Sequence, residues 1–197
     1  MNSAYSMPIR GRRWPWLAWG LLIVAQSSPA RADPPMMSLL KLRDLVGYPS
    51  RTTPPHFGGR TIDARQISLT DLRGKVVLVN FWASWCLECR PEMPVLESLH
   101  REVASQGLVI VGVNVRENRE TVSRYAKQLG LTFPLVLDPD GKINALYGVV
   151  GLPTTFLVGR DGRAVAFAVG PREWGSAPAR ALFNALLAEP APGPSAQ

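Results

Sequence analysis

The chain has 197 residues, 46% of them hydrophobic and 19% charged, which fits one ordinary globular domain and excludes a disordered chain. Its formal net charge of +7 raises the question of nucleic acid, yet Arg10, Arg12, Arg13 and Arg31 lie in the first 32 residues with no acid among them. Leaving those four out lowers +7 to +3, and the remaining basic residues are interleaved with acids, so the charge does not indicate a nucleic-acid partner.

Residues 1–32 read as a secretory signal peptide. A basic start precedes the apolar stretch Trp14 to Ala25, and Ala30-Arg31-Ala32 offers a small-residue cleavage site before Asp33. That stretch is about 12 residues, short of the roughly 20 that span a bilayer. An uncleaved N-terminal anchor with interfacial tryptophans is the competing reading. Residues 33–55 carry Pro34, Pro35, Pro49, Pro54 and Pro55 around Leu39 to Val46, and read as a linker with a turn or two of helix. One domain is expected over 56–188, with residues 189–197 as a Pro/Ala-rich flexible tail.

Within the domain, Val76-Val77-Leu78-Val79 is a continuous apolar run, as a strand buried on both faces requires, and Leu108 to Val115 is another. Leu96, Leu99 and Val103 fall at helical spacing between them, which predicts a βαβ unit and parallel pairing. A helix over about 120–129 follows, ended by Gly130, then a short strand from Phe133 to Leu137 and the turn Asp138-Pro139-Asp140-Gly141. Thr154–Val158 and Ala164–Val169 flank Gly159-Arg160-Asp161-Gly162 as a hairpin, and a helix over about 177–188 closes the chain. The expected class is α/β with a mixed sheet.

Export would favour a structural bridge between the two cysteines, but such a bridge gains most from closing a long loop. Only Leu87 and Glu88 separate Cys86 from Cys89, and a zinc site would have only His56 and His100 to complete it. Cys86 follows the first buried strand directly and is expected to open the next helix, whose free N–H groups and dipole favour a thiolate. Cys89, one turn on, is expected to be more buried and to act as the resolving thiol. That chemistry calls for no cofactor and no metal. Trp85 reads either as an apolar collar for substrate or as core packing. Pro91 and Pro94 are each expected to delete a hydrogen bond and bend the helix start. Glu92, three residues past Cys89, reads as a proton acceptor of raised pKa or as a solvated side chain. Pro153 stands at the start of a strand; a cis Leu152–Pro153 bond would turn the peptide toward the cysteines and leave the backbone of Leu152 for an extended substrate.

The stretches L-R-G-K-V-V-L-V-N-F-W-A-S-W-C-L-E-C-R-P-E-M-P (72–94) and G-L-P-T-T-F-L-V-G-R-D-G (151–162) resemble the TlpA/ResA/CcmG-type branch of thioredoxin-fold proteins, exported bacterial disulfide reductases. The similarity covers roughly residues 56 to 188. It implies a thioredoxin-like fold with a mixed central sheet flanked by helices, an N-terminal β extension, and a central helix–strand insertion over about 114–148. It also implies Cys86 as nucleophile, Cys89 as resolving thiol, a cis-proline at Pro153 and an acidic modulator at Glu92. Two departures stand out: Asn80 replaces the buried aspartate of cytosolic thioredoxins, and Leu87-Glu88 lacks a proline beside Cys89. The negative charge of Glu88 disfavours the thiolate and so favours a reducing pair. The resemblance implies a periplasmic thiol–disulfide oxidoreductase. Its expected partners are apocytochrome c or other exported thiol proteins as clients, and a membrane electron-delivery protein that recharges the dithiol. Other classes fit less well: copper delivery would want a longer cysteine spacing and a distal histidine, and only His100 follows the motif. A peroxidase would want a lone cysteine in a Thr/Pro-rich pocket, and a pure binding module would be expected to lose a cysteine.

Overall fold

The computed structural model describes Met1, residues 36–41 and residues 44–191. The signal peptide expected over 1–32 and the end of the tail, 192–197, lie outside the described residues, apart from Met1. From residue 36 the order is α1 (Met36–Lys41), β1 (Val46–Thr52), β2 (Gly58–Arg60), β3 (Gln66–Ser68), β4 (Val76–Trp82), α2 (Glu92–Val103), β5 (Leu108–Val115), α3 (Arg119–Leu129), β6 (Leu135–Asp138), α4 (Lys142–Leu146), β7 (Thr154–Val158), β8 (Ala164–Val169) and α5 (Ala177–Ala188). Six strands form one mixed sheet in the order β1-β8-β7-β4-β5-β6, and β2 with β3 makes a separate hairpin. The β4–β5 and β5–β6 pairs are parallel; β4–β7, β7–β8 and β1–β8 are antiparallel.

Every residue of β4 is buried, as the apolar run demands of a central strand. Its side chains alternate between two cores. Val76, Leu78 and Trp82 join the α1, α2, α3 and α5 side chains; Val77, Val79 and Phe81 join a second cluster with Phe57, Tyr147 and Phe156. The expected mixed sheet, N-terminal β extension and inserted helix–strand segment are all present, the last as α3, β6 and α4.

Four expectations need correction. Residues 33–55 are more than a linker: Leu39 and Leu40 of α1 are core residues, and β1 is an edge strand paired with β8. Proline is tolerated there because an edge strand has N–H positions outside the ladder, and the β1–β8 register shifts between Gly47 and Thr52, around Pro49. The expected strand at 133–137 sits two residues later at its start, and α4 follows the Asp138–Gly141 turn without a signal long enough to predict it. Glu189 belongs to the domain rather than to a frayed tail, since Arg51 donates to its carboxylate and Arg160 to its carbonyl. Finally, α2 begins at Glu92, with Pro91 as its N-cap residue. Both prolines therefore fall where a helix has no N–H partner to lose, so neither removes an internal hydrogen bond.

No helix among the described residues is long and apolar enough to cross a membrane.

Candidate active site

The parallel strands β4 and β5 end side by side, Trp82 pairing with Asn114, and β7 begins at the same end, Thr154 opposite Phe81. Ligand clefts of α/β sheets form at such carboxyl ends. Here the loops that leave β4 and β5 and enter β7 enclose a cleft of about 660 Å³, lined among others by Trp85, Cys86, Leu87, Arg116, Val150 and Leu152.

Because α2 starts at Glu92, Cys86 and Cys89 sit on a run of turns ahead of it. The turns are closed by backbone bonds from Cys89 N–H to the Cys86 carbonyl (3.2 Å) and from Glu92 N–H to the Cys89 carbonyl (3.1 Å). The two cysteines form a disulfide, with Cα atoms 5.3 Å apart. Cys86 is 6% exposed and Cys89 1%, so Cys86 keeps the more open sulfur although neither residue is on the surface. The Cys89 N–H also donates to Cys86 Sγ at 3.1 Å. That N–H is shared between the Cys86 carbonyl and Cys86 Sγ, the sulfur nearer the cleft.

Glu92 is 4% exposed, which excludes the solvated alternative. Its carboxylate accepts from three donors drawn from two other parts of the chain: the indole Nε1–H of Trp174 (2.6 Å), the Arg172 backbone N–H (3.1 Å) and Asn80 Nδ2 (3.0 Å). Burial raises the Glu92 pKa above its ordinary value of 4.5, against the pull of these donors and of the Arg172 charge. Asn80, on the all-buried β4, also donates to Thr155 Oγ1 at 2.9 Å, because the β4–β7 register sets those two residues opposite each other. The aspartate position of cytosolic thioredoxins is thus filled by an amide that holds Glu92. Glu92 lines a second hollow, of about 600 Å³, with Val95, Pro171 and Ser176.

The Leu152–Pro153 bond is cis. Pro153 is buried and Leu152 half-buried on the cleft wall. Trp85 is 60% exposed, so it belongs to the cleft rim rather than to the core, beside Leu87 (73%) and Val150 (93%).

Sequence reasoning missed the supports of this site. Trp174 and Arg172 come from the loop between β8 and α5, where an isolated tryptophan in a Gly/Pro-rich stretch was the only signal. Glu117, just past β5, binds both the Ser84 N–H (2.7 Å) and the Ser84 hydroxyl and also takes the amide of Asn114 (2.6 Å), anchoring the loop that carries Trp85 and Cys86. His100 lies against Phe133, and among the described residues no group of three or more His, Cys, Asp or Glu side chains is placed to hold a metal.

Residues 51–166, which include both cysteines and Pro153, match the AhpC/TSA family. The thiol-disulfide oxidoreductase ResA of Geobacillus thermodenitrificans is 40% identical over 119 residues, covering 60% of this chain and 68% of that protein. Among solved structures, a thiol:disulfide interchange protein of the thioredoxin family from Chlorobium tepidum superposes with a TM-score of 0.62 at 31% identity, over 71% of this chain and 99% of that one. A secreted thiol-disulfide isomerase from Corynebacterium glutamicum gives 0.61 at 28%, over 73% and 89%. The chain belongs to the AhpC/TSA family and, within it, to the ResA-like thiol–disulfide oxidoreductases of thioredoxin fold.

Proposed function

We propose that the protein reduces disulfides of exported client proteins in the periplasm, apocytochrome c being the client class the resemblance favours. The observation that carries this reading is the Cys86–Cys89 pair at the wall of an apolar-rimmed cleft. In the reduced protein, the Cys86 thiolate attacks a client sulfur; a new S–S bond forms as the client bond breaks, and the leaving sulfur takes the electron pair and then a proton. The Cys89 thiolate next attacks Cys86 Sγ, releasing the second client thiol and leaving the intramolecular disulfide. Two electrons pass to the client in each cycle. Glu92 takes the Cys89 proton for the second step, and the backbone of Leu152, ahead of Pro153, pairs with the extended client. Trp85 supplies the apolar collar.

Each turnover consumes the dithiol, so a dithiol donor must restore it, and outside the cytosol that role falls to a membrane electron-delivery protein. The reductive direction is supported by Glu88, exposed on the turn between the cysteines, whose charge works against the thiolate. Equilibration with glutathione redox buffers tests it: the pair should settle on the reducing side of the glutathione couple, and settling on the oxidising side would overturn the direction. The export reading predicts a mature chain beginning at Asp33. Intact-mass measurement of protein recovered from the periplasm checks this, a full-length membrane-bound species being the contrary result.

A further inference from the structure

We infer that Arg116 is a specificity-determining residue, placed to receive a carboxylate on the client segment that docks in the Cys86 cleft. The inference rests on the reductase reading above and adds a substrate preference to it.

Arg116 is the first residue past β5, and its φ is 59°, in the left-handed region that disfavours residues with a Cβ. A glycine would sit there without strain, so the side chain has to be accounted for. Its backbone is fixed by the bond from Arg116 N–H to the Asp138 carbonyl at 2.9 Å. Its side chain lies across Gly141, where an added Cβ would come within 2.9 Å of Nε and 3.5 Å of Nη2. Two unusual backbone positions therefore seat one guanidinium at the wall of the redox cleft.

Three acids near it in the chain are engaged elsewhere. Asp138 accepts the N–H groups of Ile143 and Asn144, Asp140 pairs with Lys142 at 3.2 Å, and Glu117 holds Ser84 and Asn114. No salt bridge to Arg116 occurs among the described residues. Around it the rim is apolar, through Trp85, Leu87 and Val150, and among the described residues Glu88 is the one acid lining the cleft. Arg116, like Glu88, is exposed and so open to a client, and its planar fork can meet a carboxylate with two parallel hydrogen bonds. The preferred client is thus an extended segment with apolar residues about its cysteine and an acid to one side. No electrons pass through Arg116; it positions the client while sulfur exchange proceeds at Cys86.

The test uses reduced protein and disulfide-linked peptides in which Asp or Asn is scanned through three positions on either side of the cysteine. Second-order reduction rates are measured at low salt and in about 0.5 M salt. At one or two positions the Asp peptide should react about fivefold faster than its Asn counterpart, and salt should erase the difference. Arg116→Gly, which suits the backbone, should level the Asp/Asn ratio, and Arg116→Lys should retain part of it. An equal ratio at every position in the wild type, or a ratio unchanged in Arg116→Gly, would overturn the inference while leaving the reductase reading intact. A wild-type protein that reduces neither peptide set would remove that reading, and this inference with it.

Discussion

Replacing Cys86 with serine should lower client-disulfide reduction by about a thousandfold or more, the largest loss expected from a single substitution. Serine keeps the shape but cannot form the mixed disulfide, and Cys89, 1% exposed, is too deeply placed to take over. Cys89→Ser should behave differently. The attack by Cys86 survives, the resolving step does not, and mixed disulfides with clients should accumulate. Non-reducing electrophoresis with mass identification of the adducts checks both variants. Adducts on Cys86→Ser and none on Cys89→Ser would reverse the assignment.

Glu92→Ala should destabilise the fold by about 3 kcal/mol, because it strands two buried donors, the Trp174 indole and Asn80 Nδ2, and the part-buried Arg172 N–H. Glu92→Gln should cost much less. Its oxygen can keep Trp174 and Arg172, and its amide can face the Asn80 oxygen after Asn80 flips, an oxygen that has no hydrogen-bond partner among the described residues. The pH dependence follows from the raised pKa. A group that binds its proton more tightly when folded gives the native state more bound protons than the unfolded chain between the two pKa values. Wild-type stability from this group should therefore be full below the ordinary value of 4.5 and decline as pH rises through the folded value. Glu92→Gln should remove that part of the slope. Urea denaturation at several pH values measures both effects; equal stability of the Ala and Gln variants would mean that the three hydrogen bonds carry no weight. The same raised pKa should appear in the rate of the resolving step, and superimposable rate–pH profiles for wild type and Glu92→Gln would make Glu92 structural only.

What the sequence made legible was set by the range of the interactions. β5, β7, β8 and α5 were readable nearly to the residue, since apolar runs or helical spacing end there at Gly, Pro or Ser. The strand β1 was hidden because its pairing with β8 is more than a hundred residues distant and its prolines look like a linker. The helix α4, at five residues, is too short to show a period. At the site, the cysteine pair, Glu92, Pro153 and Leu152 could be named from local pattern, but their supports could not. Trp174 and Arg172 reach Glu92, and Glu117 reaches Ser84, through loops whose course depends on the assembled sheet. The helix start was misplaced for a local reason: Pro91 was read as an interruption, whereas a proline at a helix entrance marks the beginning.

In the proposed reaction the reduced Cys86–Cys89 dithiol gives two electrons to a client disulfide. Reduced protein mixed with an equimolar disulfide-linked peptide, quenched over time with a thiol-alkylating reagent and weighed by mass spectrometry, tests it most directly. Two alkylated protein thiols should be lost for each peptide disulfide opened, through a transient adduct that persists in Cys89→Ser. Peptide reduction that continues undiminished in Cys86→Ser, or protein thiols that stay fully alkylated while the peptide remains oxidised, would contradict it.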